Sequence, residues 1–265
     1  MMERNRFADR VAIVTGGGSG LGRALCYAFA EEGASVVCAD INVDTAKETV
    51  SKIPNTAGKA IAIKADVTSD ADVIGMAKAA IEEYGKIDIL VNNAGISVRQ
   101  GLLDTTEETW DKITNIDLKG PFLVAKAVLP YMMQRNYGKI VNVSSVAGVV
   151  GCVSSAYTAS KAGLIGMTRV WALEFAPYRI CVNSIAPGFF ATPINEALRK
   201  SPLGEKLAKQ VPLGFGKLEQ IVPVVLFLSS SESDYVTGHC LVVDGGLSGT
   251  RDFGPEYWGF DKGKK

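Results

Sequence analysis

The chain has 265 residues, 47% hydrophobic and 21% charged, and its 28 basic and 28 acidic side chains cancel. Zero net charge leaves no general field for nucleic acid or an anionic membrane, and the composition is that of a globular α/β protein rather than a disordered or fibrous one. No apolar run approaches the roughly 18 residues of a membrane span, and five cysteines at 26, 38, 152, 181 and 240, without CxxC or metal-ligand spacing, read as small buried hydrophobes in a reducing compartment.

The N-terminus carries Glu3, Arg4 and Arg6 but only a short apolar run before Gly16, too little for the core of a signal peptide, so the expected location is cytoplasmic. Short β-branched runs predict strands at 11–15, 35–40, 60–64, 87–91, 139–144, 180–185 and 241–243, and helical periodicity predicts helices at 21–32, 70–84, 106–134 and 156–175. Most of the strands are apolar almost throughout, as parallel strands buried on both faces are. The first helix sets Leu21, Leu25, Ala28 and Phe29 on one side, and Thr105-Thr106-Glu107-Glu108 reads as a capping box opening the long helix at 106. This alternation predicts an α/β fold, a doubly wound parallel sheet of about seven strands flanked by helices, built as a single domain over 1–265 with its core at about 9–247. Two stretches lack the rhythm: about 189–215, read as an irregular substrate lid, and the tail 248–265 with Phe253, Tyr257, Trp258 and Phe260. Lys262-Gly-Lys-Lys reads as a solvated end, and His239, the only histidine, as a turn residue leading into the last strand. A single histidine argues against a histidine-rich metal site, and its setting in a turn argues against a Ser-His-Asp triad.

After the first strand comes Thr15-Gly-Gly-Gly-Ser-Gly-Leu-Gly22. It departs from the literal G-x-G-x-x-G pattern. Even so, glycines at 16, 20 and 22 allow a tight turn and close backbone approach, and the next helix points free N–H groups at a pyrophosphate. Asp40 ends the second strand 18 residues after Gly22, where a carboxylate accepts from the adenine ribose hydroxyls. It would repel a 2′-phosphate by a few kcal/mol at an effective dielectric near ~20. With no Lys or Arg at Gly17–Gly20 or Ile41–Asn42 to offset it, NAD is expected over NADP. Tyr157 and Lys161 stand four residues apart in Ala-Tyr-Thr-Ala-Ser-Lys, on one face of a helix and about a turn apart. An ammonium near a phenol favours the phenolate, and a phenolate can take a proton from an alcohol. Bringing a free phenol to neutrality needs on the order of 4 kcal/mol, which a desolvated pocket holding a cationic nicotinamide as well would help supply.

From about residue 9 to residue 247 the chain closely resembles the short-chain dehydrogenase/reductase family, with several motifs in the right order. Thr15–Gly22 is similar to its TGxxxGxG loop, Asn92-Asn93-Ala94-Gly95 to its NNAG run, and Ser144-Ser145, Tyr157 and Lys161 to its Ser…Tyr-x-x-x-Lys set. Pro187-Gly188 with Thr192 resembles PGxxxT, and Asp244-Gly245-Gly246 resembles the close of the last strand. The resemblance implies a Rossmann-type domain in which Gly16, Ser19, Gly20, Leu21, Gly22, Asp40, Asp66, Val67, Asn93, Ala94, Gly95, Tyr157, Lys161, Pro187, Gly188 and Thr192 hold the cofactor. It implies catalysis by Ser145, Tyr157 and Lys161, with Asn115 as the helix asparagine that holds a water in a proton relay. From Ser145 to Tyr157 this chain is one residue shorter than many relatives, so Ser144 is the alternative catalytic serine. Relatives are usually tetramers, associating partly through the helices near 106–134 and 156–175.

The expected activity is NAD-dependent hydride transfer between a secondary alcohol or ketone and the nicotinamide, with no metal, nucleic acid or membrane involved. The substrate pocket is expected to draw on 97–99, 152–154, 189–190 and the 194–210 lid, with Arg99 read as a solvated side chain and, as the alternative, a partner for a substrate carboxylate. The alternatives are an NADPH-dependent ketone or 3-oxoacyl reductase and a non-catalytic NAD-binding protein.

Overall fold

The structure, a computed structural model, describes residues 5–54, 58–192 and 196–249. The aromatic tail after residue 249, the lysines of 262–265, the N-terminal Glu3 and Arg4, and lid positions 193–195 lie outside the described residues.

In chain order the elements are β1 (Val11–Thr15), α1 (Gly20–Glu31), β2 (Ser35–Asp40), α2 (Val43–Ser51), β3 (Ala60–Lys64), α3 (Asp70–Tyr84) and β4 (Ile89–Asn92). Then follow α4 (Glu107–Thr114), a π-helical turn (Asn115–Lys119), α5 (Gly120–Arg135), β5 (Gly138–Val143), α6 (Ser155–Phe175) and β6 (Ile180–Pro187). The chain closes with α7 (Glu196–Arg199), α8 (Pro202–Gln210), α9 (Leu218–Ser229) and β7 (Cys240–Val243). The seven strands form one parallel sheet in the order β3-β2-β1-β4-β5-β6-β7. Successive residues of β1 serve opposite faces, as a strand's period of two requires. Ile13 joins the core with Met76, Val128 and Trp171, while Ala12 and Val14 join that of Leu25, Phe29 and Ile221. Two helical layers thus bury both faces, and the strand order reverses at β1 and β4, where such sheets open a crevice at their carboxyl ends.

Several boundaries differ from the sequence reading. β4 begins at Ile89 rather than at 87; just before it the fully buried Asp88 carboxylate accepts from the N–H of Val11 (2.9 Å) and from Arg10 (3.2 Å). The helix expected over 106–134 is α4 and α5 joined by the π-helical turn. Its cap is Thr106, whose Oγ1 accepts from the Thr109 N–H (3.1 Å), so the expected glutamate of a capping box is replaced by a threonine. The stretch 189–215, expected to be irregular, contains α7 and α8. The helices α2 and α9 lay outside the expectation as well; Pro223 sits inside α9 and broke its pattern.

Candidate active site

The turn after β1 is shaped by glycines. Gly16 and Gly20 have φ of +65° and +52°, a left-handed backbone that only glycine adopts without cost. A Cβ on Gly18 would sit 2.8 Å from the Asp40 carboxylate, and one on Gly22 would strike the carbonyl of Gly16. Ser19, the N-cap of α1, makes no side-chain cap bond, and the first turn holds no acidic residue. The orphan N–H groups of that helix end therefore stay available to an anion. Across the crevice, Thr15 Oγ1 accepts from the N–H groups of Asn93 (3.0 Å) and Ala94 (3.1 Å), and Asn93 Nδ2 donates to the Thr15 carbonyl (2.9 Å). Asn93 thereby ties the end of β4 to the glycine turn.

A cavity of about 430 Å³ opens beside this turn. Its wall includes Gly16, Ser19, Gly20, Leu21, Asp40, Asp66, Val67, Asn93, Ala94, Gly95, Ser144, Ser145, Tyr157, Lys161, Pro187, Gly188 and Thr192. Of the residues expected to hold a cofactor only Gly22 is missing from the wall. It is buried beneath the turn, packed against Gly16 and Asn93, so its part is to let helix and strand approach. Asp40 Oδ2 accepts from the Gly18 N–H (2.9 Å) and Oδ1 from that of Asn42 (2.9 Å), which holds the carboxylate at the mouth. Arg23, not weighed in the sequence, donates to the Gly18 carbonyl (3.0 Å from Nε) and pairs with Glu48 at 2.9 Å, so its charge is already spent. Asp66 Oδ1 is occupied by Thr68 (2.8 and 2.7 Å). At the opposite end Thr192 Oγ1 is buried without a hydrogen-bond partner in the described structure. A glycine cradle, an open helix end, a carboxylate at one end and an orphan hydroxyl at the other fit a dinucleotide.

Tyr157 and Lys161 bring α6 to the same wall. The Lys161 ammonium lies 5.6 Å from the centre of the Tyr157 ring and donates to the Val143 carbonyl at 3.1 Å. It also stands 3.2 Å from Asp117 Oδ2, an ion pair with both side chains buried. Burial works against the charge of Lys161, but Asp117 and then Tyr157 outweigh it and hold the ammonium above its ordinary pKa. Burial pushes the Asp117 carboxyl above the usual carboxylate range, with Lys161 and the Ile96 N–H (2.8 Å to Oδ1) opposing. The two serines differ. Ser144 is buried and its Oγ donates to the Lys161 carbonyl at 2.8 Å, whereas the half-buried Ser145 only accepts from the Ala147 N–H at 3.1 Å.

Asn115 does not reach the wall; Asp117, two residues on, does. The π-helical turn carries more residues per turn than an α-helix, so the face expected of a continuous helix is shifted. An acid set between the apolar Ile116 and Leu118 was the signal available in the sequence. The expected substrate region is only partly assembled. Phe190 lines the cavity, while Phe189 packs edge-on to Phe215 at 5.7 Å. Positions 97–99 and 152–154 lie off the cavity wall; burial raises the pKa of the Cys152 thiol and the charge of Arg99 opposes that rise. His239 gives its N–H to Asn183 (3.1 Å) and takes that of Ser184 (2.9 Å), a backbone role at the entry to β7. Among the described residues no cluster of His, Cys, Asp and Glu is arranged to hold a metal ion, and no helix is long and apolar enough to cross a membrane.

Residues 16–248 match a family model described as enoyl-(acyl carrier protein) reductase. A 3-oxoacyl-[acyl-carrier-protein] reductase of Thermotoga maritima is 43% identical over 244 residues, 91% of this chain and 99% of the relative. An NAD-dependent glycerol dehydrogenase of Listeria innocua is 38% identical over 242 residues, 91% of this chain and 94% of that one. Among solved structures, a short-chain type dehydrogenase/reductase from Mycobacterium marinum superposes with a TM-score of 0.87 at 34% identity, covering 91% of this chain and 96% of that one.

Proposed function

This chain belongs to the short-chain dehydrogenase/reductase family, and from that membership we propose that it is an NAD-dependent dehydrogenase of a secondary alcohol, or reductase of the corresponding ketone. The family's reaction is an oxidoreduction that uses a nicotinamide cofactor. The observation that carries the proposal is that Tyr157 and Lys161 share one cavity wall with the glycine turn and Asp40.

A bound nicotinamide supplies the hydride acceptor or donor; everything else falls to the protein. Asp40 would accept from the adenine ribose hydroxyls, and Asp66 and Val67 would flank the adenine. The open end of α1 would hold the pyrophosphate, and Gly188 and Thr192 the carboxamide. Ser145 and Tyr157 would hydrogen-bond the substrate oxygen, with Tyr157 taking the alcohol proton or returning it. Lys161, fixed by Val143 and Asp117, would keep a positive charge beside the phenol and favour its ionised form. Ser144, already committed to the Lys161 carbonyl, braces that lysine's turn of the helix, which supports Ser145 as the substrate-facing hydroxyl.

Replacing Tyr157 with Phe tests this. The variant should bind NAD as tightly as the parent and lose at least ~100-fold in turnover on a panel of secondary alcohols followed by absorbance of the reduced cofactor. Retained turnover would refute the role. A second reading, an NADPH-dependent reductase of ketones or 3-oxoacyl substrates, is favoured by the likeness to the Thermotoga reductase. Asp40 weighs against it, because its carboxylate would face a 2′-phosphate, and Arg23, which reaches the glycine turn, is already paired to Glu48. We further propose a cytoplasmic homotetramer with a small-molecule substrate.

A further inference from the structure

We infer that Asp117 is a positioning residue for this reaction: its carboxylate anchors the Lys161 ammonium and, by countering part of its charge, sets the pH range over which Tyr157 works. The inference rests on the catalytic reading of Tyr157 and Lys161. It stands on geometry. The Asp117 side chain is fully buried, its Oδ1 accepts from the Ile96 N–H at 2.8 Å, and its Oδ2 lies 3.2 Å from Lys161 Nζ. Gly95 leaves room for the pair, since a Cβ there would sit 3.2 Å from Asp117 Oδ2 and 3.3 Å from Lys161 Nζ.

The placement is built in by the backbone. The π-helical turn Asn115–Lys119 brings residue 117 to the cavity, and Gly120 seats the turn against Val67, whose Cγ2 would be 2.9 Å from an added Cβ. The turn packs against α4, α5 and α6. Of the titratable groups on those elements, Lys161 is the one whose charge acts on Asp117, and Asp117 and Tyr157 are those acting on Lys161. The other acids of the cavity wall, Asp40 and Asp66, do not figure among the charges acting on either group.

A buried cation acidifies a neighbouring phenol less when a carboxylate shares its charge. Asp117→Asn keeps the size of the side chain and an acceptor for Ile96 but removes the negative charge. Because burial already disfavours that charge, the variant is expected to fold; a thermal melt checks this. Its profile of kcat/KM against pH with NAD should move to lower pH by about one unit, a tenfold change in proton activity. Asp117→Ala, which also removes the anchor, should move the profile the same way and lower kcat further. A profile for Asp117→Asn that superposes on the parent's, with turnover merely scaled, would overturn the inference.

A second readout needs no substrate. The ultraviolet absorbance of phenolate, taken as the difference from the same protein with Tyr157→Phe, should have its midpoint at lower pH in Asp117→Asn than in the parent. An unchanged midpoint overturns the inference even where turnover is lost. If Tyr157→Phe retains turnover, the catalytic reading fails on its own, while the phenolate midpoint still reports whether Asp117 acts on Tyr157.

Discussion

The residues of the candidate site were legible in proportion to how local their signals are. Tyr157 and Lys161 are four apart on one helix, and Asp40 ends a strand a fixed distance after the glycine turn, so each could be placed from spacing alone. Asp117 could not, because its importance lies in a contact with Lys161, 44 residues away in sequence. The two serines were also beyond reach of counting; only the bond from Ser144 to the Lys161 carbonyl separates them. Ser144→Ala should lower stability by about 1 kcal/mol, the worth of one buried hydrogen bond, and leave turnover within a few-fold. Ser145→Ala should abolish turnover, and the reverse pattern in kinetics would exchange their roles. Asp40→Ala should shift the ratio of kcat/KM values toward NADP by at least ~10-fold, since it removes a charge worth a few kcal/mol against a 2′-phosphate. An unchanged ratio would mean that the discrimination lies elsewhere.

At the scale of elements, strands were read better than helices. β1, β2 and β3 have the boundaries their apolar runs predict; β1 and β2 are buried almost throughout, while the edge strand β3 is only half-buried. The helix expected over 106–134 failed where the backbone departs from simple periodicity, at the π-helical turn. The shortened stretch between Ser145 and Tyr157 has its own physical signature. Val153 sits at φ +76°, a left-handed conformation that costs a β-branched residue on the order of 1–3 kcal/mol. Val153→Gly relieves that strain against a smaller entropic cost, so it should raise the melting temperature by the equivalent of about 1 kcal/mol. A lower melting temperature would mean that packing of the valine outweighs the strain.

For the molecule as a whole, alternation of strand and helix foretold a parallel sheet, but not the strand order that opens the crevice at β1 and β4. What covers the outer surface was left to family expectation. Val170 and Leu173 on α6 are 59% and 81% exposed, and Trp110 on α4 and Phe122 on α5 are exposed as well. Such apolar side chains suit burial against a second copy. Sedimentation should find a tetramer in the parent and smaller species for Leu173→Glu; a monomeric parent would contradict the assembly.

The acid limit follows from Glu32, Asp72 and Asp244. The Asp66 N–H and Ser69 lower Asp72, while burial raises Glu32 and Asp244 but is outweighed by Arg6 for the first and by Ser248 and Gly246 for the second. Their folded pKa values lie below the unfolded ones, so their contribution is present above the ordinary carboxylate range and disappears as pH falls through the folded values. Thermal stability should therefore decline below about pH 4. Asp117, with a raised value, has the opposite sign and costs stability once ionised.

A crystal structure with NAD bound tests the central claim most directly. The account places the adenine ribose on Asp40, the pyrophosphate at the start of α1, and the nicotinamide between Thr192 and Tyr157, with the Lys161 ammonium on its ribose. A dinucleotide bound with its nicotinamide turned away from the Tyr157 oxygen, and with Lys161 reaching neither phenol nor ribose, would contradict it.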